Sequence, residues 1–140
     1  MFWDSSAVVP LLVPELASVK VASALRENGE AVVWWGTSVE VLSALHRRRR
    51  DGSLDDAGFR RARRRLASFL EDVDVVAPSE SVRQRAEDLV ASHPIRAADA
   101  LQLAAALTWA PEPRSTGGFV SLDERLRTAA RQEGFSLRPV

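Results

Sequence analysis

Apolar positions recur along this chain at two alternating spacings. Ala31-Val-Val-Trp-Trp35, Val73 to Val76 and Gly118-Phe-Val-Ser-Leu122 are short apolar runs bounded by turn-formers or polar residues. They predict short buried strands. Phe2-Trp3 ahead of Asp4 predicts a first strand, and Phe135 to Leu137 a last one. Between them the spacing is helical. From Pro14 to Glu27 the stripe is Leu16, Val19, Ala22 and Leu25, with Pro14 suited to a first turn and Gly29 to a stop. From Thr37 to Arg49 it is Val39, Leu42 and Leu45 with Val41 beside it, and the next segment carries Phe59, Ala62, Leu66, Phe69 and Leu70. Ser81 to Ser92 and Arg125 to Glu133 are further helices, the second stopped by Gly134. Arg96 to Trp109 is apolar almost all round, which predicts a helix covered on most sides.

Strands separated by one or two helices favour a parallel sheet with helices on both faces, because parallel strands need crossover connections. The 140 residues suit one domain over 1–140, able to bury roughly two-thirds of its unfolded surface. Gly52-Ser53 and Pro111 to Gly117 read as loops inside it.

That architecture gives four acids a common address. In an open α/β sheet, ligands bind beyond the carboxyl ends of the strands. Asp4 follows the first strand and Asp123 follows Phe119-Val-Ser-Leu122, while Glu40 and Asp99 fall in the first turns of two helices. Each has an ordinary explanation: aspartate is favoured as a helix or turn cap, and an acid in a first helical turn complements the dipole. Their agreement on one edge points instead to a shared site. Two unit charges about 4 Å apart cost on the order of 4 kcal/mol at an effective dielectric near 20, so several such pairs would rival a domain's stability. Either some acids keep protons at raised pKa or a divalent cation neutralises them. Carboxylates without sulfur or imidazole suit Mg²⁺, with Mn²⁺ as an alternative, and such an ion activates water toward a phosphoryl group.

Composition narrows the setting. There is no cysteine, which fits a reducing compartment and removes thiolate chemistry. No basic-then-apolar leader precedes Phe2, and no run approaches the roughly 20 apolar residues of a bilayer span, so a soluble cytoplasmic protein with no membrane partner is expected. The formal net charge is zero, yet of 19 lysine and arginine residues only Lys20 is lysine, and the arginines cluster in Arg47, Arg48, Arg49 and Arg50 and again in Arg60 to Arg65. These runs are candidates for RNA or partner contact, beside the plainer reading of solvated helix faces. His46 and His93 are the only histidines, expected at an exposed helix end and in a loop before Pro94, and neither adjoins the acids. Trp3, Trp34, Trp35 and Trp109 read as core or interface anchors.

Phe2-Trp-Asp-Ser-Ser-Ala7 with Val13-Pro-Glu15, Glu40-Val-Leu-Ser-Ala44, Ala98-Asp-Ala-Leu-Gln-Leu-Ala-Ala-Ala106 and Phe119-Val-Ser-Leu-Asp-Glu-Arg-Leu126 span nearly the whole chain. In this order they resemble PIN-domain ribonucleases, and within them the VapC-type toxins of bacterial toxin-antitoxin pairs. The resemblance implies a three-layer α/β/α sandwich around a mainly parallel sheet and Mg²⁺-dependent cleavage of single-stranded RNA. It further implies an antitoxin protein that blocks the site, and a homodimer. Carried over, Asp4, Glu40, Asp99 and Asp123 match the catalytic and metal-binding acids, with Ser6 and Ser121 as hydroxyls that orient them. Some relatives carry a further acid close to the third, where this chain has Ala97 and Ala98. Pro10-Leu-Leu-Val-Pro14 corresponds to a region near the antitoxin groove and the dimer contact.

With no histidine among the acid fragments, hydrolysis leaving a 5′-phosphate and a 3′-hydroxyl is expected. Two other classes of function stay open: a metal-dependent phosphatase or phosphotransferase, which would share the strand-end aspartates, and a non-catalytic PIN-like binding module, which would keep the fold and lose the metal. The first commonly has a second aspartate two residues after the first, where Ser6 stands here.

Overall fold

The computed structural model describes residues 1–110 and 117–139. Five strands, β1 (Phe2–Trp3), β2 (Val32–Trp34), β3 (Asp74–Val76), β4 (Gly118–Val120) and β5 (Ser136–Arg138), form one sheet in the order β3-β2-β1-β4-β5. Every neighbouring pair is parallel, with Phe2 opposite Val32 and Phe119, and Trp3 opposite Val120. Seven helices are described: α1 (Ser5–Leu12), α2 (Ser18–Asn28), α3 (Thr37–Arg50), α4 (Asp56–Glu71), α5 (Glu80–Ser92), α6 (Ala97–Trp109) and α7 (Glu124–Gln132).

Alternation along the strands sends successive side chains to opposite faces, which makes two cores. Phe2, Val32, Trp34 and Phe119 pack with Leu89, Leu103, Leu107 and Leu126 of α5, α6 and α7. Trp3, Val33 and Val120 pack with Val8, Val21, Leu45, Phe59 and Leu66 of α1 to α4. This is the three-layer α/β/α sandwich with a parallel centre. The chain runs outward from β1 through β2 to β3, then crosses back so that β4 lies on the other side of β1. The order of strands therefore reverses between β1 and β4, and a crevice opens beyond their carboxyl ends.

The structure adds one helix that the sequence pattern does not mark and corrects several expectations. Ser5–Leu12, which has no amphipathic stripe, is a helix even though it contains Pro10. Ala7, Val8, Val9, Pro10 and Leu12 are all buried, so burial on most sides hides the helical period. The helix expected from Pro14 begins only at Ser18, whose hydroxyl donates to Pro10 O at 2.7 Å and accepts from Glu15 N–H at 2.9 Å in a turn between α1 and α2. Leu16 and Val19, assigned to its core stripe, are exposed; Val21 and Ala24 are buried in their place. Val39, expected in the α3 stripe, is also exposed beside buried Val41 and Leu45. Asp74–Val76 is a strand but not a buried one, because it lies at the edge of the sheet. Trp35 lies past the end of β2 and is exposed, whereas Trp3 and Trp34 are core. The expected loop Pro111 to Gly117 lies outside the described residues except for Gly117. Among the described residues, no helix is long and apolar enough to cross a membrane.

Candidate active site

Asp4, Glu40, Asp99 and Asp123 line one cleft of about 530 Å³, together with Ser5, Ser6, Val39, Arg47 and Arg96. Each acid arrives by its own route. Asp4 ends β1, its N–H donating to Val120 O at 3.0 Å, and it caps α1. Asp123 follows β4 and caps α7, its Oδ1 accepting from Arg125 N–H and Leu126 N–H, each at 2.9 Å. Glu40 lies in the first turn of α3, and Asp99 in the first turn of α6, where its Oδ2 accepts from Arg96 N–H at 3.2 Å. The capping explanation and the shared-edge explanation thus hold for the same side chains.

Asp4 is the deepest of the four, at 3 % exposure. Its Oδ2 accepts from Ser121 Oγ at 2.9 Å, from Ser6 Oγ, and from Ser6 N–H at 3.2 Å. These hydroxyls are themselves held. Ser6 Oγ accepts from Leu122 N–H at 2.9 Å, and Ser121 Oγ from Asp123 N–H at 3.1 Å. Two relays therefore run from the turn after β4 to one carboxylate oxygen, fixing Asp4 relative to Asp123. Burial pushes the Asp4 carboxyl above the usual range; hydrogen bonds from Ser6 and Ser121 offset part of this, and the charge of Asp99 adds to it. Glu40 is shifted the same way, by burial first, against hydrogen bonds from Ser5 and Gln102 and with repulsion from Asp4 and Asp99.

Three residues that support these acids carry little sequence signal. Ser5 Oγ donates to Glu40 Oε2 at 2.8 Å and lies 3.4 Å from Asp4 Oδ1. A hydroxyl has one proton, so the shorter bond takes it. Gln102, fully buried, donates from Nε2 to Glu40 Oε1 and to Thr37 Oγ1, each at 3.2 Å. Its one hint is being the lone polar residue in Ala100-Leu-Gln-Leu-Ala-Ala-Ala-Leu107, one turn beyond Asp99. Thr37, buried and one turn before Glu40, completes this pair.

The arginine run divides. Arg48 pairs with Glu15 at 2.8 Å, and Arg49 with Asp56 at 2.7 Å while lying over the Phe59 ring. Arg50 is exposed, and only Arg47 lines the cleft. In the second run, Arg65 donates to Leu12 O at 3.1 Å. His46 is exposed against Phe59. His93 follows α5 as a loop residue, but its side chain is nearly buried between Gln132 and Glu133, away from the acids.

The donor set fits a hard dication. None of the four acids forms an ion pair among the described residues, although Arg47 and Arg96 line the same cleft. Among the described residues, no three acids or histidines are gathered tightly enough to close on one ion. Carboxylate and hydroxyl oxygens, without sulfur or imidazole, are the donors such an ion takes.

A family model described as the PIN domain matches residues 1–132. Ribonuclease VapC45 of Mycobacterium tuberculosis (strain CDC 1551 / Oshkosh) is 33% identical over 141 residues, spanning 99% of this chain and 94% of that protein. Ribonuclease VapC49 of M. tuberculosis (strain ATCC 25618 / H37Rv) gives the same figures. A chain in the crystal structure of VapBC2 from Rickettsia felis bound to a DNA fragment from their promoter superposes with a TM-score of 0.66, at 11% identity, covering 98% of this chain and 96% of that one. A match over nearly the full length, to a parallel sheet whose switch point gathers the acids, makes this chain a member of the PIN-domain family, among its VapC-type ribonucleases.

Proposed function

We propose that this chain is a metal-dependent endoribonuclease that cleaves single-stranded RNA as the toxin of a toxin-antitoxin pair in the cytoplasm. The observation that carries the reading is a cleft lined by four carboxylates, distant in sequence, none of them in an ion pair among the described residues, while the deepest is almost wholly removed from water. Asp4, Glu40, Asp99 and Asp123 would hold Mg²⁺ or Mn²⁺. When bound, such an ion polarises a phosphoryl oxygen and makes water nucleophilic near neutral pH.

The protein's own part is preorganisation. Ser6 and Ser121 keep Asp4 from turning, and Ser5 and Gln102 do the same for Glu40. With orientation already fixed by folding, little reorganisation remains for the reacting geometry. The relatives' names and the VapBC2 complex support an antitoxin partner, and the exposed Leu16, Val19 and Val39 supply apolar surface for one or for a second copy of the chain.

The test is a short single-stranded RNA incubated with the purified protein in Mg²⁺ or Mn²⁺, and again in EDTA. Chelator-sensitive cleavage leaving 5′-phosphate and 3′-hydroxyl ends is expected. Cleavage that persists in EDTA, or phosphate release from a small ester with RNA left intact, would overturn the reading.

A further inference from the structure

A second cleft of about 380 Å³ adjoins the acidic one and shares Arg96, Asp99 and Asp123 with it; Glu124 and Arg125 complete its lining. Every residue there is charged. Arg96 precedes α6 as its N-cap, and Arg125 lies in the first turn of α7. A cation at the positive end of a helix is unfavourably placed. Neither guanidinium forms an ion pair among the described residues, although Asp99 and Asp123 line the same space. Some other arginines are employed: Arg48 on Glu15, Arg49 on Asp56, Arg83 on Glu80 and Glu87, and Arg127 on the carbonyls of Ser121, Arg138 and Pro139. Arg47, on the α3 wall of the first cleft, is likewise without an ion pair among the described residues. Two guanidiniums set against helix dipoles beside a carboxylate cleft, with Arg47 lining that cleft from the last turn of α3, mark a place where an external anion is expected.

We propose that Arg96 and Arg125 form a phosphodiester subsite on the α6–α7 side of the cleft, with Arg47 as its counterpart on α3, so that nucleotides on both sides of the scissile phosphate are held. The inference rests on the nuclease reading and adds how the strand lies. An RNA backbone approaching four carboxylates is repelled, and guanidiniums beside them hold the neighbouring phosphates bidentately without occupying the reacting position.

The test measures anisotropy of a fluorescein-labelled oligouridylate in Ca²⁺ buffer, together with cleavage in Mg²⁺. Wild type is compared with the Arg96→Gln/Arg125→Gln double variant, the corresponding lysine pair, and Arg85→Gln on the exposed face of α5, outside both arginine runs. Loss of two charged contacts is expected to weaken binding roughly ten- to a hundredfold. The slope of log affinity against log salt should become shallower by about 1.4, at roughly 0.7 per phosphate contact of a single strand. In cleavage, KM should rise with kcat nearly unchanged, lysine should restore part of the affinity, and Arg85→Gln should do nothing. A double variant that matches Arg85→Gln, or that loses kcat at unchanged affinity, overturns the subsite while cleavage by wild type keeps the nuclease reading. Wild type that neither binds nor cuts RNA overturns both.

Discussion

Asp4 concentrates the conflict between stability and function in one side chain. Because burial raises its folded-state pKa above that of the unfolded chain, the folded form binds the proton more tightly. Its contribution to stability is therefore complete below the ordinary carboxylate pKa and is lost as pH rises through the raised value. Asp4→Asn should abolish RNA cleavage yet, in chelator, melt at a higher temperature than wild type, with the advantage growing from mildly acidic to mildly alkaline pH. A variant that melts lower at every pH would show that the carboxylate is not strained by burial. Gln102 makes the opposite prediction. Gln102→Leu leaves the buried Thr37 hydroxyl without its partner and removes a donor from Glu40, so a loss of about 1–3 kcal/mol in urea unfolding is expected, accompanied by reduced turnover.

At the scale of elements, Asp123 separates two duties. Its Oδ1 caps α7, and its charge belongs to the cleft. Asparagine caps as well as aspartate, whereas alanine does not. Asp123→Asn should keep stability and lose most activity, while Asp123→Ala loses activity and about 1 kcal/mol besides. Asp55, which caps α4 through Gly58 N–H at 2.7 Å, is the control: Asp55→Ala should cost about as much stability and leave turnover unchanged. Equal activity in wild type and Asp123→Asn would remove that charge from the chemistry. Just ahead of α2 and in its first turn, replacing Leu16 or Val19 by serine should change stability by less than about 0.5 kcal/mol, because neither is core.

For the whole molecule, a net charge of zero conceals a sharp local separation. The acids at positions 4, 40, 99 and 123 gather because β1 and β4 are neighbours while the helices between them lie on opposite faces. A ligand that binds only the folded state should stabilise it, by about 2.7 kcal/mol at a hundred times its dissociation constant. Mn²⁺ should therefore raise the melting temperature of wild type by several degrees and that of Asp4→Asn by much less, as scanning calorimetry would read. Equal shifts in the two proteins would place the ion elsewhere.

The amino-acid sequence by itself determined the alternation of strands and helices, the parallel sheet and the positions of the four acids. Period and punctuation are local properties, and every acid lies directly at the end of an element they define. It did not determine the face that α2 turns inward, the helicity of Ser5–Leu12, or the exposure of Asp74–Val76. Those depend on which surfaces meet, and an apolar run reads alike at the centre of a sheet and at its edge. The hydrogen bonds of Ser5, Gln102 and Thr37, and the division of the arginines into paired and unpaired, likewise belong to tertiary structure. A side chain's partner is set by distances in space that separation along the chain does not encode.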